Sequence, residues 1–199
     1  MPPVPPQDDF RSRKRSSESE LSATVPDIFA PTYLNSEIPS DHTVINLLQA
    51  GRIRFPGAWK KDGLPESRGF YQSRECLVAF LEIGDVRADQ DSKDFIRGLL
   101  SREPGVLNEG DLEKLKDALV LFRPRSNYDL ATGSAEVLCN KLVLVIQGYF
   151  IQSKTKEAFI IFPNQDNVSF LSMRAPKLEF LIFFNHLRHA LKSIEWFPQ

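Results

Sequence analysis

The sequence predicts an α+β domain, a mainly antiparallel sheet packed by helices, behind a disordered N-terminal arm. Three observations carry this expectation. From Lys141 onward three apolar runs rich in β-branched and aromatic residues, KLVLVIQGYFIQ, KEAFIIFP and NVSFLSM, are separated only by the short polar breaks SKT and NQD, as in a three-stranded meander of hairpins. Apolar residues at helical spacing flank this run, in DLEKLKDALVLF before it and LEFLIFFNHLRHALKSI after it. Composition also changes near position 40, since seven of the fourteen prolines lie in residues 1–40 and all ten glycines follow residue 50.

The arm comes first. Its apolar residues (Val25, Ile28, Phe29, Tyr33, Leu34) are scattered and cannot bury enough surface to offset the entropy of ordering, so residues 1–40 are expected to be disordered. The opening PPVPP favours polyproline II and suits an SH3-type groove. Arg11, Arg13, Lys14 and Arg15 form a basic knot of the kind read as a nuclear import signal or used as an anion contact. Ser16 and Ser17 stand between that knot and Glu18 and Glu20, where phosphorylation would set about two negative charges per site beside the cations.

Residues 41–199 then read as one globular domain. SDHTVINLLQAG reads as a short helix, with Ser40 or Asp41 as N-cap, Val44, Leu47 and Leu48 on one side and Gly51 as its stop. RIRFP reads as a strand and AWKKDGLPESRG as turns, while CLVAFLEI is equally a buried strand or a helix. SKDFIRGLLS and DLEKLKDALVLF read as helices, the second with a stripe of Leu112, Leu115, Leu119 and Phe122. After the meander, RAPKLEFLIFFNHLRHALKSIEWF closes the chain as a helix with Pro176 near its first turn. Phe180, Phe183, Phe184, Leu187, Leu191 and Ile194 share the face expected to meet the sheet, with the helices together on one side of it.

Chemistry is marked mainly by what the sequence lacks. There is no GxSxG elbow, HExxH, CxxC, GxxxxGK or GxGxxG, so a standard hydrolase, zinc enzyme, kinase or dinucleotide enzyme is not expected, and no catalytic residue, metal or cofactor is assigned. His42 stands alone, and His186 and His189 project with Arg188, Lys192 and Ser193 from the polar side of the last helix. The carboxylates Asp85, Asp89, Asp91 and Asp94 begin like a calcium loop, but Lys93 replaces a ligand and Asp94 replaces the turn glycine, which leaves a helix N-cap as the reading. Cys76 and Cys139 lie in apolar runs and are expected to be buried, reduced thiols, as in a reducing compartment.

Lys and Arg total 25 against 26 Asp and Glu, so any basic function is local. The richest local candidate is residues 51–74, where Arg52, Arg54, Lys60, Lys61, Arg68 and Arg74 interleave with Phe55, Trp59, Phe70 and Tyr71. Cations that neutralise phosphates beside rings that stack on bases suit a single-stranded nucleic acid. On the last helix Leu181 and Ile182 lie off the main apolar stripe, with Trp196 and Phe197 just beyond, as a second contact surface for a protein partner or another copy would need. LEFLIFF is seven residues long with Glu179 inside it, too short to span a bilayer, and the opening residues lack a signal-peptide pattern. The expectation is an intracellular, cytoplasmic or nuclear, non-enzymatic protein-interaction or assembly subunit with a regulatory arm. Its alternative is a nucleic-acid-associated protein, or a structural protein organised like a viral matrix or coat protein.

Overall fold

The computed structural model of the chain describes residues 42–56, 59–60, 68–72, 78–121, 123 and 126–198. The expectations for the arm, residues 1–40, with Arg11, Arg13, Lys14, Arg15, Ser16 and Ser17, lie outside the described residues, as do those for Lys61, Arg74, Cys76 and Phe122. In chain order the elements are β1 (His42–Asn46), β2 (Gly51–Pro56), β3 (Trp59–Lys60), β4 (Arg68–Gln72), β5 (Val78–Asp85), α1 (Gln90–Leu99) and β6 (Gly105–Val106). Then come α2 (Glu109–Ala118), β7 (Tyr128–Leu138), β8 (Lys141–Phe150), β9 (Thr155–Asn164), β10 (Asn167–Pro176), α3 (Phe180–Leu191) and β11 (Glu195–Trp196).

The three runs that predicted a meander are β8, β9 and β10, paired antiparallel in sequence order. They are the middle of something larger. Among the described residues the sheet has eight strands, in the order β3-β4-β5-β10-β9-β8-β7-β6, and a second sheet has the order β1-β2-β11. The centre of the large sheet is apolar on both faces: along β9, Ala158, Ile160 and Phe162 enter one core while Phe159 and Ile161 enter the other. A strand buried on both sides reads as a continuous apolar run, which is why CLVAFLEI had no telling period. Its residues from Val78 form β5, beside β10.

The helices do not share one face, contrary to expectation. α3 and the small sheet cover the first core, through Phe180, Phe183, Phe184, Leu187, Leu191, Ile194, Ile53 and Phe55. α1 and α2 cover the second, through Ile96, Leu99, Leu115 and Leu119. A large sheet with two apolar faces needs a layer on each. Both covering helices are capped, the first as the sequence suggests: the Asp89 side chain accepts from the Ser92 backbone N–H at 2.7 Å, and that of Asn108 from the Asp111 backbone N–H at 2.9 Å.

Three local readings are corrected. Residues 42–51 are a strand and a turn instead of a helix: Thr43, Val44 and Ile45 are β-branched, and burial alternates, with Ile45 and Leu47 inside and Val44 and Asn46 outside. Leu48 turns the chain with φ 53°, and Gly51 is needed because a Cβ there would lie 2.6 Å from the Glu195 carbonyl oxygen. Pro176 ends β10 instead of starting a helix, which begins at Phe180. Cys139 is a free, exposed thiol, because Cys139 and Asn140, with φ 48° and 69°, form the tight turn joining β7 to β8.

Candidate functional site: a buried arginine and glutamate cluster

At the end of the large sheet where β7 and β9 begin and β8 and β10 finish, charged side chains stand among apolar ones on the face shared with α1 and α2. Register places them. Arg174 on β10 lies opposite Phe80 on β5 and Glu157 on β9, and Ser172 lies opposite Glu82 and Phe159. Arg123, in the connection after α2, reaches down onto this row. Glu157 is wholly buried, and its carboxylate accepts from Arg123 Nε at 2.9 Å and Nη2 at 2.6 Å. Glu82 lies 3.3 Å from the same guanidinium, which sits over the rings of Phe159 at 5.0 Å and Phe150 at 5.7 Å. A two-pronged, charge-assisted pair stacked on flat rings is the arrangement in which arginine tolerates burial.

Arg174 fares differently. With Arg123 holding the Glu157 carboxylate, Arg174 Nη2 comes only within 3.7 Å of it, beyond a hydrogen bond. Its guanidinium lies instead over the rings of Phe150, at 4.4 Å, and Phe80, at 5.5 Å. Burial works against the charge of both arginines. At Arg123 the Glu157 and Glu82 carboxylates outweigh it and hold the guanidinium above its ordinary pKa, whereas at Arg174 burial prevails and lowers it. Arg174 Nε, Ser172 Oγ and Tyr128 Oη have no hydrogen-bond partner among the described residues. Tyr128 lies over Gly148, where a Cβ would overlap its hydroxyl and stand 2.7 Å from the Asp129 carbonyl oxygen. Burial, with the nearby Glu157 charge adding to it, pushes the Tyr128 phenol well above its usual pKa.

No family model matches this chain, and no curated protein does. Its residues alone carry the functional reading.

The candidates named from sequence lie elsewhere. Arg52 and Arg54 stand on one face of β2 and share one carboxylate: Glu195 accepts from Arg52 Nε at 2.7 Å and Nη2 at 2.5 Å, and from Arg54 Nη2 at 2.8 Å. Trp59 and Lys60 form β3 and Arg68 begins β4, on the far edge of the other sheet. Leu181 is exposed and Ile182 half-buried on α3, and Phe197 is exposed. Trp196 is half-buried and packs inward, with its ring 5.5 Å from that of Phe162 and Nε1 donating to the Leu138 carbonyl at 2.8 Å. The aspartates have separate local partners. Asp85 accepts from Ser169 Oγ at 2.6 Å, Asp89 caps α1, and Asp94 pairs with Arg97 at 2.7 Å. Among the described residues no group of His, Cys, Asp and Glu could hold a metal, and no helix is long and apolar enough to cross a membrane. His186 packs edge-on against Phe183, and His189 is exposed.

Sequence reading passed over Glu82, Arg123, Glu157 and Arg174. The available signal was a single charge inside each apolar strand run: Glu82 in LVAFLEI, Glu157 in EAFIIF and Arg174 in FLSMRAP. A charge on a strand buried on both faces must be paired or functional.

Proposed function

We propose that this protein is a non-enzymatic protein-interaction or assembly subunit, and that its docking surface is the end of the large sheet where β8 and β10 finish. The carrying observation is exposed apolar side chains gathered there. Leu178, just past β10, is 90% exposed, Leu121 in the connection leading to Arg123 is 71% exposed, and Leu181 at the start of α3 is 57% exposed. Ile151 joins them from the β8–β9 turn, which the Lys177 N–H to Lys154 carbonyl bond of 3.1 Å ties to the chain beside Leu178. Single exposed leucines are ordinary, but several on the segments that meet the finishing ends of β8 and β10 form the kind of surface another protein covers. The test is a Leu178→Gln, Leu181→Gln double variant compared with the native chain by sedimentation velocity and by quantitative cross-linking in the source cell. Melting within about 2 °C of the native chain is expected for exposed sites, with self-association or a cross-linked partner lost. A variant that keeps every association overturns the reading.

Arg52 and Arg54 support a second reading, nucleic-acid association. Each side chain is about half exposed. A phosphate would have to displace Glu195, so Glu195→Gln should raise salt-sensitive retention on immobilised single-stranded RNA. Equal retention of both proteins removes this reading.

A further inference from the structure

We infer that the outer face of the small sheet, with the C-terminal residues that border it, is a track for single-stranded nucleic acid on which Glu195 is a built-in competitor. The inference rests on the nucleic-acid reading of Arg52 and Arg54, and it takes their partners in the site from Lys192 and Phe197 instead of from residues 59–74. Along β2, Ile53 and Phe55 enter the core, so Arg52 and Arg54 face the other way, opposite Asn46 and Val44 of β1. All four are exposed. The outer face is therefore wet, with cations along its middle strand, β2 in the order β1-β2-β11.

The two arginines already hold an anion. The Glu195 carboxylate accepts from both guanidinium groups, so two cations share one acid. The side chains are about half exposed, and exposed ion pairs are weak, so a phosphate arriving from solvent displaces the carboxylate at small cost and meets both forks. A third cation stands close by. The Ser193 hydroxyl accepts from the Arg54 backbone N–H at 2.9 Å, which brings the exposed Lys192, the residue before it, to the Arg54 end of the track. The Arg52 end carries a ring: Phe197 donates its backbone N–H to the Ala50 carbonyl at 2.9 Å and is 40% exposed. Trp196 packs inward, so strand alternation puts Glu195 and Phe197 on the outer side. Three cations against one acid, in a chain whose total is 25 against 26, match a polyanion, and the open ring gives an unpaired base a face to stack on. A duplex keeps its bases stacked inside and gains nothing from that ring.

The experiment is fluorescence anisotropy of a labelled oligouridine with the full native chain, at KCl concentrations from about 50 to 200 mM. Lys192→Gln should weaken binding and lower the slope of log affinity against log salt by about 0.7, one phosphate contact of a single strand. Phe197→Leu should cost about tenfold with the slope unchanged, since stacking carries no charge. Glu195→Gln should bind more tightly than the native chain. A Lys60→Gln, Arg68→Gln double variant, altered at the edge of the large sheet, should bind as the native chain does. Absence of binding by both the native chain and Glu195→Gln at the lowest salt removes the nucleic-acid reading and this inference with it. Binding that is lost in Lys60→Gln, Arg68→Gln but unchanged in Lys192→Gln and Phe197→Leu overturns the track and leaves the nucleic-acid reading standing. Equal affinity of the native chain for an RNA duplex overturns the assignment to a single strand. Lys192 and Phe197 are exposed, so their variants should melt within about 2 °C of the native chain, and the duplex comparison needs no variant at all.

Discussion

Tyr128 shows how the environment of one residue becomes a stability statement. Its hydroxyl is buried without a hydrogen-bond partner among the described residues, and burial followed by the Glu157 charge raises its pKa. Since the folded value lies above the unfolded one, near 10, the contribution is complete below about pH 10 and is lost as pH rises toward the folded value. The urea midpoint of the native chain should therefore fall more between pH 9 and pH 11 than that of Tyr128→Phe. At pH 7 that substitution should cost little, because no observed bond is lost. Equal falls would place the alkaline loss elsewhere. Gly148 is the matching steric case: Gly148→Ala drives a methyl into Tyr128, and overpacking of that kind costs about 1–3 kcal/mol by chemical denaturation. Glu157→Gln leaves Arg123 with a neutral partner in a dry site, and breaking a buried pair costs about 3–5 kcal/mol. None of these three roles was legible at the residue level, because a lone Glu or Tyr in a strand carries no mark of what faces it.

Among elements, α3 was the most legible, and Phe180, Phe183, Phe184, Leu187, Leu191 and Ile194 are all buried as their spacing required. Phe184 stacks on Phe180 with centroids 5.4 Å apart. Phe184→Ala should cost about 3–5 kcal/mol in denaturant unfolding, and a loss below 1 kcal/mol would mean that the helix is not anchored by this face. β11 was not legible, being two residues whose strand character comes from pairing Glu195 with Arg52 and Trp196 with Gly51. The Arg52 hydrogen bond, ahead of its charge and those of Arg54, holds the Glu195 carboxyl below its usual pKa. The folded value is thus the lower one, so the clasp persists through ordinary glutamate titration and is lost as pH falls through that lowered value. Trp196 fluorescence in a Trp59→Phe chain should stay constant from pH 7 to about 4.5 and change only below it. A change centred above pH 5 would mean that Glu195 is not the clasp.

At the scale of the molecule, both hydrophobic cores are, among the described residues, composed of residues from Ile45 onward. Because residues 1–40 hold seven of the fourteen prolines and no periodic apolar segment, a chain lacking them is expected to melt within a few degrees of the full one, given that 1 kcal/mol shifts a domain of this size by about 2–4 °C. A larger drop would show that those residues contribute to a core.

By itself the sequence determined the elements whose pattern is complete within a few neighbouring residues. These are β8, β9 and β10 with their polar turns, α1 with Asp89 at its cap, α2, and the inward face of α3. Only the tertiary structure decided that residues 42–46 extend as a strand, that the helices divide between two faces, and that Cys139 turns outward. It also decided that Arg123, Glu157, Glu82 and Arg174 meet although the first and third are 41 residues apart in sequence. The reason is physical. Propensity, capping and periodicity act between neighbours, whereas the face a strand residue points to, and the charge waiting there, depend on a pairing register set by distant segments.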